Sequence, residues 1–299
     1  MNNSVTSHEE PLVSQPMRPI EALEAPKFAM PSGACDAHMH VFGPLEKYPC
    51  VEHPHYTLPD GRLDHFQRLM PVLGLERFVI VQSSFYGTDN SCMLDALAVA
   101  GDSARGVAMV EADVSGGELE RFHASGVRAL RLDLFKLATA SLADTQSYIT
   151  HMAAKIAPLG WHLQFYAPGW RVRDLIDFLR DLDTDFVIDH MGYMLEEDGL
   201  TDADFSRLLD LMKAGRCHIK LSAPYRLAKK RGYEAVEEVA KALVRAAPEK
   251  TIWGSDWPHI PGLDRDTGEL VNLLPKWAPD PEDRRLILTE NPRRLFGFS

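Results

Sequence analysis

The sequence predicts a parallel (β/α)8 barrel, and three observations support this fold class. Eight short apolar runs, of the kind that forms strands buried on both faces, follow one another along the chain. Stretches with the periodicity of amphipathic helices separate these runs, as the crossover connections of a parallel sheet require. Polar and ionisable residues concentrate where the runs end, which is the edge at which such barrels carry their functional groups.

The eight predicted strands lie between residues 34 and 254. In chain order they are Ala34–Phe42, Arg77–Ser83, Gly106–Val110, Val127–Leu134, Trp161–Tyr166, Asp185–Asp189, Cys217–Leu221 and Thr251–Gly254. A doubly wound open sheet is the alternative arrangement. No G-x-G-x-x-G or Walker loop follows any of the runs, so the nucleotide-binding form of that fold has no local support.

Several of the intervening helices have recognisable ends. The ranges with helical periodicity include Ser91–Ala100, Asp144–Leu159, Asp202–Ala214, Glu234–Ala247 and Pro281–Thr289. The segment Thr88-Asp89-Asn90 supplies polar side chains that can cap a first turn, whereas Gly160 and Gly215 are suited to end a helix.

Residues 1–32 are predicted to form an extended N-terminal arm, followed by a barrel domain over residues 33–299. The arm is rich in proline and lacks a basic start followed by an apolar run, so we expect no secretory signal. No stretch approaches the roughly 18 apolar residues of a membrane span. The four cysteines form no CxxC pair, which favours reduced thiols in a cytoplasmic protein over disulfides or a thiolate zinc site.

The net charge of −11 narrows the range of partners. Nucleic acids and anionic membranes require a basic surface, so we expect neither as a partner. An acidic protein can still bind a small anionic substrate if it places arginines locally. Individual arginines near the strand ends are therefore the candidates for binding such a substrate.

The strongest functional signal is a pair of histidines, His38 and His40, at the end of the first strand. Residues i and i+2 of a strand face the same side, so both imidazoles should converge on one spot. Asp256 follows the eighth strand and can accept a proton from a bound water, and His190 follows the sixth. Histidine and carboxylate together also suit a divalent metal. The structural alternatives are packed histidines at strand ends and an aspartate that caps a helix or forms an ion pair.

Arginines and tyrosines at the other strand ends are candidates for substrate binding. Arg131 on the fourth strand and Arg226 after the seventh could each hold an anionic group through paired hydrogen bonds, or could pair with a core acid such as Asp133. Tyr166 and Tyr56 could hydrogen-bond a substrate or serve only for packing. Tyr56 lies in a loop whose length is typical of a lid.

Taken together, these motifs resemble the amidohydrolase superfamily, and within it the lactonase branch that includes hydrolases of 2-pyrone-4,6-dicarboxylate and sulfomuconolactone. The resemblance rests on four stretches, at residues 36–40, 187–192, 253–259 and 291–298. It implies an enzyme of aromatic-compound catabolism that opens the ring of an anionic lactone, with Asp256 as the base on water. His38, His40 and His190 would polarise the ring carbonyl or hold a metal. The residues that would line the substrate pocket are Tyr56, Ser84, Tyr166, Arg131 and Arg226.

The chain also departs from that branch. Leu137 and Tyr193 occupy places where some pyrone-dicarboxylate lactonases carry arginines, so a muconolactone with a sulfonate or a single carboxylate becomes an equally good candidate. Arg131 and Tyr166 stand where binuclear members place metal ligands, so we expect no binuclear centre. One zinc or manganese ion on His38, His40 and Asp256, with or without His190, and a metal-independent site both remain open. A metal-dependent decarboxylase and a lactone isomerase are the alternative activities.

Overall fold

The structure is a computed structural model that describes residues 23–51, 58–195, 201–229, 231–260, 262 and 264–299. Its centre is an eight-stranded parallel sheet in the order β1 to β8. The strands are β1 Cys35–Met39, β2 Arg77–Val81, β3 Ala104–Ala108, β4 Val127–Asp133, β5 His162–Tyr166, β6 Phe186–Ile188, β7 Cys217–Leu221 and β8 Thr251–Trp253. The predicted (β/α)8 barrel is confirmed. The third strand begins two residues before its predicted start.

The helices surround the barrel. Within the described residues they are α1 Leu63–Leu73, α2 Ser91–Ala100, α3 Gly116–Ala124, α4 Leu142–Ile156, α5 Gly169–Arg180, α6 Asp202–Lys213, α7 Pro224–Ala228, α8 Glu234–Ala246, α9 Thr267–Val271, α10 Leu274–Trp277, α11 Pro281–Arg285 and α12 Asn291–Phe296. The predicted helix over Pro281–Thr289 is wrong in its details, because α11 gives way to a π-helical turn at Leu286–Glu290. The predicted bounds of α2 match, and the Asp89 carboxylate accepts a hydrogen bond from the Ser91 N–H in its first turn.

On six of the eight strands, the apolar side chains divide between two separate clusters. On β2, Phe78 and Ile80 pack in the larger cluster with the surrounding helices, whereas Val79 and Val81 belong to a smaller cluster. The smaller cluster also takes residues from five other strands together with Phe296 and Phe298. This alternation is expected for a closed barrel, because successive side chains point outward and inward in turn.

The barrel closes where β1 meets the segment that follows β8. The backbone N–H of Asp256 donates to the carbonyl of His38, and the N–H of His40 donates to the carbonyl of Trp257, both at 2.8 Å. Gly254 makes this approach possible, since a Cβ at that position would lie 2.5 Å from the Cβ of His38. The contacts that complete the barrel therefore also set the distance between its histidine pair and its aspartate.

The described part of the N-terminal arm packs on the outside of the barrel. The N–H of Glu24 donates to the Asp266 carboxylate, and the N–H of Lys27 donates to Oδ1 of Asn272. Met30 lies against Gly74 at the end of α1. In the portion of the chain that the structure describes, no helix has the length and apolar character needed to cross a membrane.

Candidate active site

A cavity of about 200 Å³ opens at the carboxyl ends of the strands. Its wall contains seven of the predicted site residues, which are His40, Ser84, Arg131, Tyr166, His190, Arg226 and Asp256. His38 is fully buried next to this wall and reaches the same cluster through its ring. The predicted pocket residue Tyr56 lies outside the described residues. The expectation that functional groups gather at this edge of the barrel therefore agrees with the positions of every predicted site residue that the structure describes.

One carboxylate oxygen, Oδ1 of Asp256, faces three imidazoles. It lies 3.2 Å from Nε2 of His40, 3.5 Å from Nε2 of His38 and 3.9 Å from Nε2 of His190. The two Nε2 atoms of the histidine pair are themselves 3.2 Å apart. The predicted convergence of distant stretches of chain on one point is thus present in the structure.

The hydrogen bonding of His40 determines which of its nitrogens carries a proton. Nδ1 lies 2.8 Å from the carbonyl oxygen of Val81, which can only accept, so Nδ1 is the donor. In the neutral ring, Nε2 then presents a lone pair to Oδ1 of Asp256. Two hydrogen-bond acceptors only 3.2 Å apart, here Nε2 of His40 and Oδ1 of Asp256, repel each other unless a proton or a cation lies near both.

This set of atoms fits one divalent metal ion. A tetrahedral ion with bonds of about 2.0–2.1 Å to nitrogen separates its ligand atoms by roughly 3.3 Å, close to the distances between the Nε2 atoms and Oδ1. His38, His40 and Asp256 supply three such atoms, all buried. The carbonyl that fixes the ring of His40 is the kind of outer partner that metal-bound histidines use. The cluster can therefore hold a single ion.

The second oxygen of Asp256 is held by two donors. The hydroxyl of Tyr225 lies 2.6 Å and Nε of Arg226 2.9 Å from Oδ2. Burial alone would raise the pKa of Asp256, but Arg226 and the neighbouring histidines outweigh burial and keep the pKa well below its usual range. The carboxylate is therefore charged, and its free oxygen is directed at the imidazoles.

Arg226 lines the cavity, where it was predicted to lie, and also pairs with an acid of the site. Its Nε binds Asp256, although the side chain also lines the cavity and is 25% exposed. Tyr225, which sequence reasoning passed over, shares the same carboxylate oxygen. Both residues lie on α7, directly after β7, so the first turn of this short helix aims two donors at the end of β8.

Arg131 is the other predicted anion-binding residue. Its Nη1 donates to the carbonyl of Gln82, its guanidinium stacks on the ring of Tyr166 at 4.4 Å, and its Nε lies 3.6 Å from Asp189. The acid nearest to it is therefore Asp189. Asp133 instead accepts a hydrogen bond from the Ser84 hydroxyl. Arg131 keeps its side chain at the cavity wall while these three contacts and a fourth, from Nη1 to the Ser84 hydroxyl at 3.4 Å, restrict its orientation.

His190 lies on a strained turn after β6. Its φ is 51°, and Met191 and Tyr193 also have positive φ. Such conformations are costly for residues other than glycine and concentrate at functional sites. Nδ1 of His190 lies 2.8 Å from the hydroxyl of Ser222, and burial lowers its pKa to about 4, so the ring is neutral near pH 7.

A buried lysine beneath the cluster was missed by sequence reasoning. Lys220 on β7 is fully buried, and its Nζ lies 3.1 Å from both Nδ1 of His38 and Oδ1 of Asp189. Burial alone would raise the pKa of Asp189, but Lys220 together with His38 and His190 outweighs burial and keeps that pKa well below the usual range. The sequence signal was present, since a lysine inside an apolar strand needs a charged partner.

Fold and site together define a parallel-barrel enzyme with a histidine–aspartate centre at the carboxyl ends of its strands. The chain belongs to the amidohydrolase family, whose model matches residues 35–298. It is 35% identical over 285 residues to a 2-pyrone-4,6-dicarboxylate hydrolase of Comamonas testosteroni, covering 91% of this chain and 92% of that protein. It is 34% identical over 276 residues to a 4-sulfomuconolactone hydrolase of Hydrogenophaga intermedia, covering 91% of each.

A solved structure shows the same fold. It is that of a probable 2-pyrone-4,6-dicarboxylic acid hydrolase of Acinetobacter baumannii with citric acid bound. The TM-score is 0.77 at 28% identity, and the match covers 89% of this chain and all of that one. The predicted family membership is confirmed.

Proposed function

We propose that this chain is a cytoplasmic hydrolase that opens the ring of a small anionic lactone in the breakdown of aromatic compounds. The observation that carries the proposal is the position of Asp256, whose free oxygen faces three imidazoles in a cavity that also contains two arginines. The hydrolases of Comamonas testosteroni and Hydrogenophaga intermedia, to which the chain is similar, act on lactones that bear carboxylates or a sulfonate. The four free cysteines suit a reducing compartment.

The chain's own residues can perform the hydrolytic step. A water next to Oδ1 of Asp256 loses its proton to this carboxylate as its oxygen attacks the ring carbonyl. The bond between the carbonyl carbon and the ring oxygen then breaks, and the proton held by Asp256 passes to the departing ring oxygen, which returns the carboxylate to its charged form. Tyr225 and Arg226 hold the other oxygen, so the base keeps its orientation during the reaction. His190 lines the cavity, and its Nε2–H, with Nδ1 accepting from the Ser222 hydroxyl, stabilises the negative charge that develops on the carbonyl oxygen. A base positioned in this way contributes about 10²- to 10⁴-fold to the rate.

A divalent ion, zinc or manganese, would be held by His38, His40 and Asp256, with His190 at the edge of the set. When bound, such an ion lowers the pKa of a coordinated water and polarises a carbonyl. A metal-independent reaction uses the same carboxylate as the base. Metal analysis of the purified protein, with activity measured before and after chelation, distinguishes the two.

Arg131 is the residue that we assign to the anionic arm of the substrate. Arg226 already commits its Nε to Asp256, whereas the contacts of Arg131 are with a carbonyl, a hydroxyl, an aromatic face and a more distant acid. The bound citric acid in the Acinetobacter relative is consistent with a pocket that accepts carboxylates. The small cavity favours a single ring with short substituents.

The test is a panel of lactones incubated with the purified chain. The panel contains 2-pyrone-4,6-dicarboxylate, 4-sulfomuconolactone and an uncharged lactone of similar size. Ring opening of an anionic member, with one proton released per turnover, is the expected result. Carbon dioxide release would instead favour the decarboxylase, and a rearranged lactone without proton release would favour the isomerase. Faster hydrolysis of the uncharged lactone would argue against the role of Arg131.

A further inference from the structure

Lys220 has no part in the reaction described above, although it is among the largest fully buried side chains. Within the described residues it is not one of those that line the cavity. Its Nζ lies 3.1 Å from Nδ1 of His38 and 3.1 Å from Oδ1 of Asp189. A buried ammonium between a carboxylate and a ring nitrogen constrains the protons of both neighbours.

The first constraint comes from the lysine itself. An ammonium group has three donors and no acceptor, so Nδ1 of His38 must accept its hydrogen bond. A neutral imidazole that accepts at Nδ1 carries its proton on Nε2. In the competing arrangement, an Nδ1–H of His38 would donate to Oδ1 of Asp189. These two atoms are 3.4 Å apart, which is longer than the 3.1 Å between Nδ1 and the Lys220 Nζ.

The second constraint comes independently from His40. Its Nδ1 donates to the carbonyl of Val81, so its Nε2 presents a lone pair to Nε2 of His38 at 3.2 Å. That short contact needs a proton between the two nitrogens, and only His38 can supply it while both rings are neutral. Two separate sets of contacts therefore assign the same tautomer to His38.

We propose that Lys220 is a positioning residue, which holds His38 in the Nε2–H tautomer so that this N–H points into the cluster around Oδ1 of Asp256. Asp189 keeps the ammonium in place and is itself fixed by the side-chain amide of Gln164 at 3.1 Å. The proposal builds on the proposed function, because this N–H, directed at Nε2 of His40 and at Oδ1 of Asp256, holds the base in place for lactone opening. Nε2 can hold either this proton or a metal ion, so Lys220 favours the metal-free form of the ring.

The consequence of losing Lys220 follows from the same contacts. Without the ammonium, Nδ1 of His38 is free to protonate and to donate to Asp189. Nε2 would then present a lone pair to Asp256 and to His40, where a donor is needed. The cavity wall is made by other residues, so the change should affect turnover more than substrate binding.

The experiment combines tautomer spectroscopy with kinetics on the full chain. Long-range ¹⁵N–¹H spectra distinguish an Nε2–H from an Nδ1–H imidazole, and the His38 signals are identified by their loss in His38→Asn. We expect Nε2–H in the parent chain and Nδ1–H in Lys220→Met. We also expect kcat on the best lactone to fall at least about tenfold, with KM changed less than about threefold.

His218→Asn is the matched control, because His218 is also buried and lies two residues earlier on β7, facing the same side. It should leave the tautomer of His38 and the kcat unchanged. If Lys220→Met does not fold, Lys220→Leu takes its place and keeps Asp189 as the acceptor for an Nδ1–H. An Nδ1–H tautomer in the parent chain overturns the proposal, as does an unchanged tautomer in whichever variant folds. These spectra need no substrate, so they decide the proposal even if no lactone is hydrolysed.

Discussion

Replacing Asp256 by asparagine is the most direct test of the assigned base, because the two side chains have nearly the same shape. The hydroxyl of Tyr225 and Nε of Arg226 both donate to Oδ2. They will therefore orient the amide oxygen of the asparagine toward themselves. Its NH₂ group then faces the imidazoles, at the place where the carboxylate oxygen stood. The variant keeps two hydrogen bonds and loses the acceptor that takes the proton from water.

The expected loss in kcat is about 10²- to 10⁴-fold, which corresponds to about 2.7–5.4 kcal/mol of transition-state stabilisation. Steady-state hydrolysis of the best lactone, with thermal unfolding to verify folding, is the assay. Asp133→Asn is the matched control, because it removes another carboxylate from the same cavity wall but one that binds Ser84. We expect its kcat to stay within about tenfold of the parent chain. A folded Asp256→Asn variant that retains the parent rate would refute the assignment of the base.

Three further predictions follow from other contacts. Arg131→Met should raise KM for an anionic lactone by roughly ten- to a hundredfold, because one charge-assisted contact to the substrate is lost, and should leave KM for an uncharged lactone unchanged. Equal effects on the two KM values would show that Arg131 serves only for packing. Gly254→Ala should destabilise the fold by about 1–3 kcal/mol and reduce kcat, because the added Cβ would lie 2.5 Å from the Cβ of His38. Unfolding curves and steady-state kinetics measure the two effects, and an unchanged stability and kcat would contradict the tight closure. Burial and Lys250 lower the pKa of His218 to about 4, so between about pH 6.5 and pH 4 the unfolded chain binds a proton that the folded chain does not, and the free energy of unfolding falls as the pH drops. In urea unfolding, His218→Asn should reduce this fall by at most about 3 kcal/mol, and an unaltered pH dependence would contradict the prediction.

The positions of the strands could be predicted because parallel strands buried on both faces are apolar along their whole length. The third strand was misplaced because it starts at Ala104-Arg105, and an arginine interrupts the apolar pattern. The Arg105 guanidinium donates to the carbonyl of Gly297 and stacks on the ring of Phe298, nearly two hundred residues further along the chain. A local pattern contains no information about partners at that distance.

Much of the candidate site could be predicted for a similar reason. In a parallel barrel all strand ends meet at one edge, so residue type and strand order are enough to group His38, His190 and Asp256. Strand order does not determine which partner a side chain reaches on another strand of the barrel. Lys220 and Tyr225 were therefore missed, and the sequence did not indicate which acid Nε of Arg226 would bind.

The junction between β1 and the segment after β8 has a consequence for how the protein acquires activity. The residues that meet there, such as His40 and Asp256, are separated by 216 positions in the chain. Every intermediate that lacks the final strand, including a chain still emerging from the ribosome, can form helices and most of the sheet without assembling the centre. Contacts between such distant residues are slow to form. In refolding experiments, recovery of turnover should therefore lag behind recovery of the far-ultraviolet circular dichroism signal.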